Sequence, residues 1–232
     1  PAIMRIAEEH GLIVVEDACQ GILAAVEGKT AGTWGVAGGF SLHPLKNLNV
    51  WADGGMVVTN EDEVAERLRL LRNHGLISRD EVEILGYNSR LDSVQAIVGN
   101  WLIPQVWDIT NKRISNAEFL DRELAAIDGI TIPPRCTQTL PNSRHVFHLY
   151  IVFAENRDAL YKHCLDNGVE CKIHYPIPIY LQRALRFLDH SPGDFPVTDR
   201  HASSIISFPA DQHVSHDQLQ HIIDTVRTFF LA

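Results

Sequence analysis

The stretch Leu12-Ile13-Val14-Val15-Glu16-Asp17 is a continuous apolar run that ends in two carboxylates. Such a run is typical of a strand buried in a parallel sheet. It follows a helical phrase, Pro1 to His10, which Gly11 closes with a residue type that favours the left-handed backbone of a helix end. This order predicts an α/β fold with Asp17 at the carboxyl end of a strand, where open α/β sheets place ligand contacts. The carboxylates are equally compatible with the start of a solvated loop.

Two further strands are predicted downstream, and a lysine lies between them. The strands are expected at Val36 to Ser41 and at Gly54 to Thr59. Lys46 follows the charge-poor, proline-bearing phrase Ser41-Leu42-His43-Pro44. A lysine held at a cleft edge loses water and presents the neutral amine that attacks carbonyl groups. An isolated lysine is more often a surface charge, so Lys46 alone does not identify a site.

Helical patterns follow these strands. Asn60 and Glu63 are placed to form a capping box at the start of a helix that Gly75 ends. The region Ser89 to Asp128 is predicted to be mostly helical, with an interruption at Pro104.

The last hundred residues predict a small α+β domain. Strands are expected at 146–153, 169–175 and 205–208, a helix at 156–167, and a terminal helix that begins at Ser215 with Gln218 three residues later. We place the domain boundary between residues 128 and 129, so that the domains are 1–128 and 129–232.

The composition excludes several classes of protein. The 232 residues are 45% hydrophobic and carry a formal net charge of −9 without a basic patch, which argues against nucleic-acid binding. No apolar run approaches the roughly 20 residues of a membrane-spanning helix. The four cysteines are scattered and are interpreted as reduced thiols, and the histidines lack metal-ligand spacing, so no metal site is predicted. We expect a soluble cytoplasmic protein that extends upstream of Pro1.

Several phrases in a fixed order carry a resemblance to a known family. They are Val15-Glu16-Asp17-Ala18-Cys19-Gln20, Phe40-Ser41-Leu42-His43-Pro44-Leu45-Lys46-Asn47, Asp53-Gly54-Gly55, Leu71-Arg72-Asn73-His74-Gly75, Gly86-Tyr87-Asn88, His148-Leu149-Tyr150 and His174-Tyr175-Pro176. Together they resemble the DegT/DnrJ/EryC1/StrS family of pyridoxal-phosphate-dependent sugar aminotransferases over nearly the whole chain. The resemblance implies an aspartate aminotransferase-like (fold type I) architecture, with residues 1–128 as the C-terminal part of the large cofactor-binding domain and 129–232 as the small domain.

The same resemblance implies a role for five residues around pyridoxal 5'-phosphate. Lys46 would form the Schiff base and act as the proton shuttle, and Asp17 would pair with the pyridinium nitrogen. Gln20 would lie beside the ring hydroxyl and Ser41 would hold the phosphate. Asn88 would reach the cofactor phosphate of a neighbouring subunit, which implies a homodimer with shared active sites.

The resemblance also bears on the substrate. His174 is expected to touch the sugar or its phosphate, although an ordinary packed histidine fits the sequence equally well. The expected reaction moves an amino group from glutamate or glutamine to a keto sugar, expected to be nucleotide-linked, in amino-sugar biosynthesis.

Two alternatives stay open. A relative could use the same cofactor for dehydration or aromatisation of a sugar or cyclitol, although Lys46 argues against the dehydratase branch, in which a histidine replaces this lysine. A cofactor-free binding or regulatory protein on the same fold would be expected to have lost Asp17 or Lys46, and both are present.

Overall fold

The computed structural model describes residues 1–231, which form two compact units. The first unit comprises Pro1–Asn111 and Cys136–His148, and the second comprises Lys112–Arg135 and the chain from Leu149 onward. The chain thus alternates between the units, whereas the sequence predicted a single boundary after Asp128.

The first unit contains α1 (Ala2–Glu9), β1 (Val15–Asp17), β2 (Ala25–Val26), β3 (Lys29–Thr30), β4 (Ala37–Ser41), β5 (Gly55–Val58), α2 (Asp62–Leu71), α3 (Ser93–Leu102), a 3-10 turn (Ile103–Gln105), the start of α4 (Val106–Leu124) and α5 (Cys136–Thr139). The second contains the rest of α4, β6 (Ile130–Thr131), β7 (Tyr150–Ala154), α6 (Arg157–Asp166), 3-10 turns at Ile179–Leu181 and Arg183–Leu188, α7 (Pro196–Ser204), β8 (Ile205–Phe208) and α8 (His216–Leu231).

The sheet of the first unit brings two predicted site residues to one edge. Its strand order is β1-β4-β5, with β1 parallel to β4 and β4 antiparallel to β5. In this register Asp17 lies opposite Gly39. Ser41 ends β4 two residues further along. Because parallel strands finish at the same edge, the ends of β1 and β4 together carry Asp17 and Ser41.

The predicted buried strand at Leu12 to Val15 is wrong in extent and in burial. The strand begins at Val15, and Leu12, Ile13 and Val15 are 62%, 82% and 68% exposed. Within residues 1–231, β1 pairs only with β4, so one of its edges has no neighbouring strand. An apolar run predicts burial only where other elements cover it, and the described part of the chain does not cover this one.

One of the two predicted capping boxes is confirmed. Helix α8 begins after Ser215, whose backbone N–H donates to Oε1 of Gln218 at 2.8 Å, while the Gln218 N–H donates to Oγ of Ser215 at 3.2 Å. The box at Asn60 and Glu63 is wrong, because α2 has Glu61 as its N-cap without a side-chain cap bond. Thr59 instead accepts the Glu61 N–H at 3.0 Å.

Elsewhere the observed helix boundaries agree only in part with those predicted from the sequence. The predicted helical region interrupted at Pro104 is confirmed as α3, a 3-10 turn and α4. Helix α2 ends at Leu71, four residues before Gly75, which has a left-handed backbone (φ 74°) and donates its N–H to Leu70 at 2.8 Å.

The core of the first unit anchors both ends of the loop that carries Lys46. Leu42, Leu48 and Val50 are buried on either side of this lysine and cluster with Val106 of α4. Burying apolar side chains on both flanks holds the two ends of the loop in place.

The second unit is built on an antiparallel sheet of order β6-β7-β8, against which α6 packs. The predicted strand at 205–208 is confirmed as β8. The strand predicted at 169–175 is wrong, since within it only Lys172 pairs with a strand residue, through a single bridge to Ser207. The strand predicted from residue 146 begins at Tyr150, because the Arg144 backbone and the Val146 carbonyl form hydrogen bonds with Ala25 and Asn47 of the first unit.

A buried ion pair lies in the second unit. Arg135 donates two hydrogen bonds to the Asp121 carboxylate, at 2.7 and 3.0 Å, and a third to the Ile151 carbonyl at 3.2 Å. The Tyr150 hydroxyl donates to the same carboxylate at 2.9 Å. Burial and the neighbouring Asp121 charge raise the pKa of Tyr150, so its hydroxyl stays protonated and remains a donor.

We expect Asp121→Ala to lower the free energy of unfolding by about 3 kcal/mol, because it leaves a buried guanidinium without its carboxylate. The Arg135 side chain is only 7% exposed. Denaturant unfolding of the variant measures this change. Glu118→Ala, an exposed acid on the same helix, is the control and should change stability by less than about 0.5 kcal/mol. An equal, small effect of both substitutions would show that the pair does not stabilise the fold.

Candidate active site

The two carboxylates that end β1 have different environments. Glu16 accepts backbone N–H groups from Gly32 at 2.8 Å, from Trp34, and from Gly35 at 3.0 Å. Successive strand residues point to opposite faces, so Asp17 lies on the other side of the strand. Glu16 therefore shapes the 32–35 loop, and Asp17 is the carboxylate available to a ligand.

Asp17 is held as a charged carboxylate. The backbone N–H of Cys19 donates to it at 3.0 Å, and the nearby Cys19 thiol and Lys46 ammonium also favour the charged form. These contacts hold the pKa of Asp17 below its usual value, with the Cys19 thiol as the largest cause. Asp17 is exposed and ionised at neutral pH.

Cys19 is a site residue for which no role was predicted from the sequence. Its hydrogen bond to Asp17, burial and the Asp17 charge all raise the pKa of the thiol, so it stays protonated and acts as a donor. Its sulfur also lies 3.8 Å from the Gly39 carbonyl. A cysteine two residues after a strand-end carboxylate carries no signal in the sequence that would reveal this contact.

Lys46 lies in a loop that its own backbone bonds define. The Lys46 N–H donates to His43 at 2.9 Å, and the Lys46 carbonyl accepts Nδ2 of Asn49 at 2.9 Å. Oγ of Ser41 accepts the His43 N–H at 3.2 Å. The lysine is half-buried, in agreement with the predicted position at a cleft edge.

A pocket of about 200 Å³, counting the part open to solvent, brings three predicted residues together. Gln20, Ser41 and Lys46 line it, and Asp17 adjoins it through its bonds to the lining residue Cys19. The other lining residues are Ala18, Ile22, Phe40, Asn47 and His148.

His148 belongs to this pocket as well. Its Nε2 lies 3.5 Å from Nζ of Lys46, although 102 positions separate the two residues in the sequence. The sequence identified His148 only as part of the His148-Leu149-Tyr150 phrase and could not pair it with Lys46.

Asn88 and His174 lie elsewhere. Asn88 is exposed, is not among the residues that line the pocket, and accepts a hydrogen bond from Nε of Arg90 at 3.3 Å. His174 lies in the second unit, half-buried, with Nδ1 2.9 Å from Oγ of Ser207. Burial and the Lys172 charge lower the pKa of His174, so its imidazole is neutral at pH 7.

No group of three metal-ligating side chains that could hold an ion occurs in the part of the chain that the structure describes. Within residues 1–231, every helix is too short or too polar to cross a bilayer. The described cysteines are all free thiols, as predicted.

Pyridoxal phosphate requires three kinds of protein group, and a carboxylate, an amine and a hydroxyl lie at or beside this pocket. The ring nitrogen takes an anionic partner, the aldehyde takes a lysine amine, and the phosphate takes hydroxyl and amide donors. The side chains of Asp17, Lys46 and Ser41 are of the types that fit these three demands.

Comparison with known proteins identifies the family. The model of the DegT/DnrJ/EryC1/StrS aminotransferase family matches residues 1–227, and the chain belongs to this family. Members of the family use pyridoxal phosphate. The α/β fold matches the C-terminal part, about 60%, of aminotransferases of this family, which confirms the predicted fold class.

Named relatives agree with this assignment. The chain is 38% identical over 226 residues to the "erythromycin biosynthesis sensory transduction protein EryC1" of Saccharopolyspora erythraea, covering 97% of this chain and 61% of that protein. It is 36% identical over 226 residues to the dTDP-3-amino-3,4,6-trideoxy-alpha-D-glucose transaminase of Streptomyces venezuelae, covering 97% and 59%. The crystal structure of S. venezuelae DesV superposes with a TM-score of 0.93 at 35% identity, covering 100% of this chain and 61% of that one. The chain therefore spans about three fifths of the length of the relatives it matches.

Proposed function

We propose that the protein is a pyridoxal-phosphate-dependent aminotransferase that moves an amino group from glutamate or glutamine to a nucleotide-linked keto sugar. The observation that carries this proposal is that a half-buried lysine, Lys46, lines a pocket which an ionised carboxylate, Asp17, adjoins at the end of β1. A S. venezuelae relative is named as a transaminase of a dTDP-linked amino sugar, which supports the sugar class of the acceptor.

The cofactor would supply an aldehyde that takes up the amine and a ring that accepts electrons from the substrate carbon. Asp17, which is ionised, would keep a proton on the ring nitrogen by charge pairing. Lys46 would hold the cofactor covalently and, when released from it, move a proton at its ε-amine. Ser41 would donate its hydroxyl to the phosphate, and Gln20 would lie beside the ring hydroxyl.

Two residues outside the pocket have roles in this proposal. Asn88 would reach the phosphate of a cofactor bound by a second copy of the chain, so the working enzyme would be a homodimer with shared sites; its exposed position supports this. His174 would contact the sugar or its phosphate. Its neutral imidazole can act as donor or acceptor to a hydroxyl group.

The reaction is tested with the whole protein, cofactor, and glutamate or glutamine, offered to a panel of keto-sugar nucleotides. An amino-sugar product detected by mass spectrometry supports the proposal. A product that has lost water without gaining nitrogen would identify the dehydrating or aromatising alternative instead.

A regulatory role is the second candidate, because one relative is named a sensory transduction protein. A protein that only binds and signals has no need of a lysine in a pocket with an ionised carboxylate beside it, and this chain has both. The visible absorbance of the purified protein separates the two, since a lysine-bound cofactor is yellow and a cofactor-free binding protein is colourless.

A further inference from the structure

Lys46 and its neighbour Asn47 both contact one segment, residues 146–148. Nζ of Lys46 lies 3.5 Å from Nε2 of His148, and Nδ2 of Asn47 donates to the Val146 carbonyl at 2.9 Å. Asn47 is 2% exposed and Val146 is 3% exposed. A hydrogen bond shielded from water in this way is stronger than an exposed one, so it holds the segment beside the lysine loop.

Further contacts fix the same segment upstream. The backbone of Arg144 exchanges two hydrogen bonds with Ala25, at 2.8 and 3.2 Å, and its Nε donates to the Leu23 carbonyl at 2.6 Å. The Arg144 guanidinium also lies over the Trp107 ring, 4.6 Å from its centre. Residues 136–148 belong to the first unit, and these bonds hold the backbone that leads into His148.

We propose that His148 is a positioning residue that holds the ε-amine of Lys46 in the pocket. A lysine has four flexible methylene groups, and its ammonium has only donors. The backbone that leads into His148 is held by its segment, and Nε2 of His148 lies 3.5 Å from the amine, within reach of a hydrogen bond when the ring proton is on Nδ1. This contact limits how far the amine can swing within the pocket.

The nearby His43 does not fit this role. Its Nδ1 accepts the Leu45 N–H at 3.2 Å, so this nitrogen is used within its own turn, and its side chain is exposed. His148, in contrast, is half-buried and lines the pocket together with Lys46.

The first test measures how fast cofactor attaches to the whole, cofactor-free protein. At saturating pyridoxal phosphate, we expect His148→Leu to slow covalent attachment about tenfold, since the amine loses its orientation. His148→Gln should recover most of the rate, because the amide oxygen accepts the same bond. Affinity for pyridoxamine phosphate, which has no aldehyde and cannot attach, is measured for both variants, so that weaker binding is separated from slower attachment.

His163→Leu is the matched control. His163 is half-buried like His148, lies in the second unit, and its Nε2 has no hydrogen-bond partner among residues 1–231. We expect this variant to attach the cofactor at the wild-type rate. Attachment by His148→Leu at the wild-type rate, or equal losses in the leucine and glutamine variants, would overturn the proposed positioning role.

A second measurement needs no cofactor. This inference rests on the proposed function of Lys46, and trace acetylation of the cofactor-free protein tests the contact separately from that function. The extent of acetylation of Lys46 is compared with that of the exposed Lys112 in one digest. We expect His148→Leu to raise the Lys46 to Lys112 ratio about threefold, because the amine is no longer hydrogen-bonded, and His148→Gln to restore it. A changed ratio in a protein whose cofactor attaches to another lysine would refute the proposed function and leave the contact standing. An unchanged ratio would refute the contact itself.

Discussion

Lys46→Ala is expected to lose lysine-bound cofactor absorbance and to reduce amino transfer by about 10² to 10⁴-fold or more. Loss of a positioned proton-transfer group alone accounts for a decrease of this size. The substitution also removes the amine that would hold the cofactor, while the buried residues that fix the loop, Leu42 and Leu48, are unchanged. Steady-state amino transfer and the visible spectrum are measured on the same preparation.

The control for this prediction is Lys112→Ala, which removes an exposed lysine from α4 and replaces it with a good helix former. It should retain the activity and the spectrum of the wild type. If Lys46→Ala kept both as well, the pocket beside Asp17 would not be the catalytic site.

Asp17→Asn is expected to retain bound cofactor and to lower turnover by about a hundredfold. An amide is neutral and cannot pair with a protonated ring nitrogen, although it has nearly the same shape as the carboxylate. Because the pKa of Asp17 lies below its usual value, the wild-type carboxylate remains ionised throughout the neutral range, and the effect should be the same at any neutral pH. Turnover and cofactor content are both measured.

The matched control is Asp80→Asn, at an exposed carboxylate of the first unit that does not line the pocket. We expect no change in turnover for it. Normal turnover of Asp17→Asn with full cofactor content would show that Asp17 is not the partner of the ring nitrogen.

Local patterns in the sequence were sufficient to predict the edge of the site. Asp17 ends a short strand, and the glycine and proline signals around Ser41 and Lys46 mark a strand followed by a turn. Parallel pairing of the two strands then brings their ends to one edge. The order and spacing of the motifs predicted the family, which the comparison confirms.

Other parts depend on distant contacts, and no local pattern encodes them. The burial predicted for residues 12–15 depends on what packs against that run. A strand was predicted from residue 146, yet residues 144 and 146 bond to Ala25 and Asn47. Within the strand predicted at 169–175, only Lys172 forms a bridge to another strand. Contacts between residues far apart in the sequence determine each of these features.

The assignment of the active site depends most on which lysine carries the cofactor. Borohydride reduction of the cofactor-loaded protein fixes the cofactor on that lysine, and peptide mapping by mass spectrometry then locates the label. We predict a single pyridoxyl label on Lys46. A label on Lys29, whose ammonium lies over the Trp34 ring at 4.8 Å from its centre, or on Lys112 or any other lysine, would contradict the assignment of the site.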